Sequence, residues 1–255
     1  MSIMTGPVAL WVRRQARQLG FSSVIGKLMQ RKGYEAAYWR AMAGTIRPGD
    51  CVWDVGANVG YYTLRFADLV GREGRVIAFE PSQDNFAGLQ AAVADCSTVA
   101  SRLLGLSNEA SEVWVRQGAD ELGATSEIIK LRSRDSDHLQ PVRVDSGDRL
   151  IGRCEVLPPN IIKIDVEGHE GEVIEGLKAT LRDPALRAVF IEMHFAILAA
   201  KGRSNAPYKI EQLLRSSGFD IRWTDPSHLH AFRSGPLSDG GRGPNRHGWQ
   251  FLWRR

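Results

Sequence analysis

The chain is poor in long apolar runs. No stretch approaches the ~18 consecutive apolar residues that cross a bilayer, so nothing in it reads as a membrane span. A secretory leader puts positive charge first, then a longer apolar core. Here the short run Pro7 to Val12 precedes Arg13 and Arg14, the wrong order, and the expectation is a cytoplasmic protein. Leu10, Trp11 and Val12 beside Arg13, Arg14 and Arg17 also admit peripheral membrane contact. A helix packing its apolar stripe on the main domain is the plainer reading.

Cysteine is scarce too. Cys51, Cys96 and Cys154 are the only three, widely spaced and without C-x-x-C, which reads as reduced structural thiols and not a disulfide or zinc framework. A dominant charge is missing: 33 Lys+Arg against 29 Asp+Glu give a net +4. No basic block concentrates it, so charge does not nominate a nucleic-acid partner. There is no internal repeat.

What is present is ordinary globular composition over 255 residues, with 43% hydrophobic and 24% charged. That suits one large α/β domain with at most a small appendage. Residues 1–45 read as helical, with Tyr34, Ala37, Tyr38 and Ala41 at helical spacing. This N-terminal segment is a candidate cap, and residues 46–255 form the main domain. Cys51–Val55 and Arg75–Phe79 are short apolar strands around a helix at Tyr61–Val70, and a second helix starts at Pro81. Val99–Leu106 reads as a third strand. Residues 108–150 break the rhythm with alternating, Gly- and Pro-interrupted stretches, expected as antiparallel excursions that carry substrate selectivity. The α/β rhythm returns with Ile161–Asp165, a helix through Leu177, Ala188–Glu192, a helix around Ile210–Ser216, and Phe219–Trp223. Trp249–Trp253 reads as a terminal antiparallel strand after a Gly/Pro-rich loop at 234–246. The fold class is therefore α/β: a Rossmann-like, doubly wound, mainly parallel sheet.

The strongest motif is Asp54-Val-Gly56-Ala-Asn58-Val-Gly60, which follows a strand and opens a helix. Glycines there let a ligand approach the backbone, and the ligand sits beyond the carboxyl end of the strand. Glu80, closing the next strand, can bind two ribose hydroxyls. A dinucleotide site wants G-x-G-x-x-G and an anion-friendly turn. This turn offers G-x-x-x-G behind a carboxylate, which favours a cationic ligand with no phosphate. S-adenosylmethionine fits that description. A nicotinamide-dependent oxidoreductase and a non-catalytic interaction module are the alternatives.

Val52–Thr63, Ala78-Phe-Glu-Pro81 and Ile162-Lys-Ile-Asp-Val-Glu-Gly-His-Glu170 together resemble the FkbM family of S-adenosylmethionine-dependent methyltransferases, over roughly residues 35 to 200. The resemblance implies a class I methyltransferase fold and methyl transfer, usually to a hydroxyl oxygen of a sugar or polyketide-type natural product. It assigns Asp54, Gly56, Ala57, Asn58 and Gly60 to the cofactor loop, with Tyr61 after it, and Glu80 to the ribose, with Pro81 and Ser82 beside it. Leu104-Gly-Leu-Ser107-Asn108 resembles the segment on the adenine side, with Gly105 where the family often has alanine. Small-molecule or carbohydrate acceptors are the implied partners.

Methyl transfer to an alcohol needs a base for the departing proton. Strand alternation puts Lys163 and Asp165 on one face, and Glu192 and His194 end the next strand at the same edge. Asp165 and His194 are the favoured base or orienting groups, with Glu167, Glu192 and Lys163 next, and Asp165 also borders the cofactor. His169 reads as a capped or solvated helix-start residue. Glu170 and Glu172 read as helix-start acids favoured by the macrodipole. Asp165, Glu192 and His194 could make a mixed oxygen/nitrogen cation site, but no Asp-Asn pair follows the fifth strand, and no metal is expected. Pro158-Pro159-Asn160 reverses the letters of an amino-methylating loop, and Cys154 lacks a preceding proline, so neither supports nucleic-acid methylation.

Overall fold

A computed structural model describes residues 35–117, 126–129 and 139–234. The readings that fall elsewhere lie outside the described residues: the segment 1–34, Gly118, Gly123, the loop beyond Ser234, the strand at Trp249–Trp253 and the basic tail.

The main sheet has seven strands. Five are parallel: β1 (Cys51–Val55), β2 (Arg75–Phe79), β3 (Val99–Arg102), β8 (Ile161–Ile164) and β9 (Ala188–Glu192). Beyond β9 come β11 (His228–Phe232), antiparallel to it, and β10 (Asp220–Trp223) at the edge. The spatial order is β10-β11-β9-β8-β1-β2-β3. The order reverses between β1 and β8, so the cleft for a ligand opens beyond the carboxyl ends of β1, β2, β8 and β9. The central strands read as continuous apolar runs because helices cover both faces. Every residue of β1 is buried.

Successive residues of a strand point to opposite faces, and the core divides accordingly. Trp53, Val55, Ile164 and Ile191 pack with Leu150, Val173, Leu177 and Leu214. These come from α4 (Gly147–Gly152), α5 (Glu170–Glu175), the turn after it, and α7 (Ala206–Ser216). On the other face, Val52, Val76, Ile161 and Phe190 pack with Tyr38 and Met42 of α1 (Glu35–Thr45) and with Phe66 and Val70 of α2 (Tyr61–Val70). The described part of the N-terminal segment is thus built into the core. Arg187 fixes it there, donating to Asp50 at 2.6 and 3.1 Å and to the Thr45 carbonyl at 3.3 Å.

One expectation is corrected, and one strand goes beyond the sequence reading. Val99–Leu106 is not one strand. It bends at Leu103, where Leu104 N–H bonds back to Arg102 O, and Gly105–Leu106 (β4) joins a second sheet. That four-stranded sheet runs β4-β7-β5-β6, with β5 (Ser111–Gln117), β6 (Ser126–Ile129) and β7 (Leu139–Asp145). It holds the antiparallel pairs expected of the 108–150 excursion. The described antiparallel strand of the main sheet is β11, in a stretch to which the sequence reading gave no element, because its alternation His-Leu-His-Ala-Phe carries histidines on one side. The remaining helices are α3 (Gln83–Val93), capped by Ser82, and α6 (Phe195–Ala200). Among the described residues no helix is long and apolar enough to cross a membrane.

Candidate active site

The glycine turn lies where β1 ends. Gly56 has φ +77°, and a Cβ there would sit 1.8 Å from the Asp165 carbonyl oxygen, so only glycine lets the first and fourth crossover turns touch. Asn58 and Glu167 also hold positive φ, 50° and 46°. Non-glycine residues in that region are uncommon and gather at functional turns. Both line one cleft, together with Gly56, Glu80, Pro81 and Asp165.

Glu80 is buried, and its two carboxylate oxygens each take a backbone donor, Asn58 N–H at 2.8 Å and Ser82 N–H at 2.9 Å. Burial pushes its pKa up to about 6, while the two backbone donors and Asn85 pull the other way. The group is ionised at neutral pH and fixed in place, as a ribose-binding acid must be. Gly105 faces the same cleft. A Cβ there would meet Val144 at 3.0 Å and Pro81 at 3.4 Å, a steric reason for glycine where the family often has alanine.

Other assigned residues sit elsewhere. Asp54 is fully buried beneath the cleft, not in its wall. One oxygen accepts from Thr63 Oγ at 2.6 Å and the other faces Lys163 Nζ at 3.1 Å. There it holds Lys163, and it is not among the residues that line the cleft, where it was expected to meet a cationic ligand. Ala57 and Ser82 are buried, the latter as the cap of α3. Gly60, at φ +89°, abuts Leu89, and Tyr61 is exposed, with its ring edge on Tyr62. Ser107 and Asn108 bond each other. Ser107 Oγ is also 3.0 Å from His169 Nε2. His169 is buried, not solvated.

The second constellation assembles as expected at the sheet edge and gains members. Lys163 Nζ lies 3.4 Å from Asp165 Oδ2 and donates to Gly56 O at 3.1 Å. Burial disfavours its charge, but Asp54 and Asp165 outweigh that and hold its pKa above the ordinary value. Lys163 is therefore a fixed cation and no base. His194 Nε2 is 3.6 Å from Asp165 Oδ1, while Nδ1 is 2.7 Å from Glu170 Oε1. Burial lowers the His194 pKa, but the Glu170 hydrogen bond and Asp165 raise it further, to about 9. The ring is an imidazolium at neutral pH, so of the two favoured groups Asp165 is the one with a lone pair to offer. Loss of hydration and the nearby Glu192 raise the Asp165 pKa, against Lys163 and His194. Glu192 faces His228 Nε2 at 3.4 Å, and His228 Nδ1 meets Asp225 at 2.6 Å.

Glu170, His228, Asp225 and Tyr38 were missed as site residues. Glu170 had a signal: with Val173, Ile174 and Leu177 it makes the i, i+3, i+4, i+7 stripe that faces the core, and it is fully buried there. Glu172 pairs with Arg203 at 2.6 Å, an ordinary helix-start acid. Asn160, in the reversed loop letters, is structural: it bonds Cys51 N–H and the Ala185 carbonyl. Cys51 is buried, but Cys154 is exposed, so it is no structural thiol.

Residues 54–221 match the Methyltransferase FkbM domain. The chain belongs to this family. It is 30% identical over 149 residues to the hexuronic acid methyltransferase AglP of Haloferax volcanii, covering 58% of this chain and 57% of that one. It therefore spans little more than half the length of that relative. To the 31-O-demethyl-FK506 methyltransferase FkbM of Streptomyces tacrolimicus it is 27% identical, covering 69% of this chain and 75% of that one. Among solved structures, a putative rRNA-methylase of Clostridium thermocellum superposes with a TM-score of 0.49 at 12% identity, covering 76% of this chain and 94% of that one. The cofactor of this chain is S-adenosylmethionine, and the cleft suits it: a glycine turn a Cβ would fill and an immobilised carboxylate, with no lysine or arginine in the cleft wall among the described residues.

Proposed function

We propose that the protein is an S-adenosylmethionine-dependent O-methyltransferase, acting on a hydroxyl of a sugar, a glycan precursor or a natural product. One observation carries the reading. Asp165 belongs to both halves of the site: it lines the cofactor cleft and stands 3.6 Å from His194 at the acceptor side.

The bound cofactor supplies an electrophilic methyl group on a sulfonium. Glu80 holds the ribose, and Gly56 brings the backbone close. Asp165 takes the hydroxyl proton as oxygen bonds to the methyl carbon, and Lys163 steadies the carboxylate from its far side. His194, kept cationic by Glu170, orients Asp165 Oδ1 and the acceptor oxygen. Glu192 and Glu167 shape the acceptor side. The relatives' printed names support this choice of acceptor, one a hexuronic acid and the other an O-demethyl natural product.

Calorimetry with S-adenosylmethionine, its demethylated product S-adenosylhomocysteine, and a nicotinamide dinucleotide tests the reading. The first two bind and the third does not. A folded protein that binds neither of the first two overturns it, and would favour a non-catalytic module.

A further inference from the structure

Asp165, Glu192 and His194 each present one ligand atom, and these atoms all lie within 4.8 Å of one another. We propose that they form a divalent-cation site, suited to a first-row ion such as Mn²⁺, against which the acceptor oxygen is placed. The inference rests on the reading above and revises one part of it: the ion displaces the proton that His194 Nε2 carries in the metal-free protein, so the ring ligates the ion and the ion, not the imidazolium, orients the acceptor oxygen.

The histidine is arranged for this. Glu170 Oε1 occupies Nδ1 at 2.7 Å, so Nε2 is the nitrogen turned toward Asp165. A carboxylate on the far ring nitrogen is the recurring support of metal-bound histidine, because it fixes the ring and makes the ligating nitrogen more basic. Two carboxylates and one imidazole are a mixed donor set that suits a manganese-like ion with open positions for oxygen ligands.

One buried atom points to a missing ligand independently of the cluster. Tyr38 is 1% exposed, and its hydroxyl has no hydrogen-bond partner among the described residues. Strand alternation puts Lys163, Asp165, Phe190 and Glu192 on the face that α1 covers. The Tyr38 ring packs on His228 at 4.1 Å, and the acids whose charge acts on its hydroxyl include Asp165, Glu192 and Asp54. A buried hydroxyl in the field of these carboxylates yet bonded to none needs a partner, and a water carried by the cation would supply it. A cation there would lower the pKa of a bound hydroxyl, easing transfer of its proton to the Asp165 carboxylate as the carbon–oxygen bond forms.

The test is a Mn²⁺ titration of the chelator-stripped full chain, followed by loss of the free-ion electron paramagnetic resonance signal. One ion binds per chain. Glu192→Gln and His194→Gln weaken it, and Glu170→Gln, which never touches the ion, weakens it roughly 10- to 100-fold. Glu73→Gln, an exposed acid at the far end of the sheet, changes nothing. No binding at millimolar Mn²⁺, or binding indifferent to Glu192→Gln and His194→Gln, overturns the proposal. Should buried Glu170→Gln fail to fold, the partly exposed Glu192 carries the test. S-adenosylhomocysteine binding is measured on the same samples. Its retention without a Mn²⁺ site sinks this inference alone, and its loss sinks the cofactor reading.

Discussion

His194 Nδ1 stands 2.7 Å from Glu170 Oε1, and the glutamate is fully buried. This pair sets the character of the acceptor side. It turns a histidine that would ordinarily titrate near neutrality into a held cation in the metal-free protein, and in the proposed reaction it leaves Asp165 to take the proton.

Stability should record that pair in metal-free protein. His194 is raised from 6.5 to about 9, so its contribution is complete below pH 6.5 and lost as pH rises through 9. The stability gap between wild type and His194→Gln should shrink by about 2 to 3 kcal/mol from pH 6.5 to 9.5. Urea unfolding at both values measures it, and parallel curves would show that the ring is not held as a cation.

Glu80 makes cofactor affinity depend on pH. Its pKa is about 6 in the free protein, and protonation removes an acceptor for the ribose. S-adenosylhomocysteine affinity should be flat above pH 6 and fall about tenfold per unit below it. Glu80→Gln should weaken binding by ~1.5–3 kcal/mol at neutral pH and flatten the profile. Unchanged affinity in that variant would remove Glu80 from the site.

Lys163→Met should be costly for a structural reason. It strands Asp54, fully buried, without its counter-charge. Removing one member of a buried pair costs about 3–5 kcal/mol. Asp54→Asn in the same chain should recover part of that loss, and strictly additive effects in a double-mutant cycle would refute the pairing.

Gly56→Ala should lose about 2–4 kcal/mol and cofactor binding with it, since the added carbon meets a backbone carbonyl at positive φ. Gly152→Ala, with nothing within 4 Å, is the control and should be near neutral. Equal melting temperatures for the two would show that the crossover turns do not touch.

The central sheet was legible in the chain. β1, α2, β2 and β9 have the bounds read from apolar runs, because doubly covered parallel strands leave an uninterrupted signal. The switch at Leu103 was not, since a turn between two sheets has the same apolar composition as a strand. β11 was hidden by polarity: His228 and His230 face partners in the core that the sequence does not name. The motif residues were found, but the depth of Asp54 was not. A carboxylate ending a strand reads the same whether it lines the cleft or is sealed beneath it by Thr63 and Lys163.

The most direct test of the account follows a labelled methyl group from S-adenosylmethionine into an extract of the producing cells. Wild type and Asp165→Asn are run side by side, with S-adenosylhomocysteine binding confirmed in both. The account predicts an ether-linked label on a hydroxyl-bearing acceptor, formed about 100-fold or more slowly by the variant. Label on nitrogen, no label at all, or undiminished transfer by Asp165→Asn would contradict it.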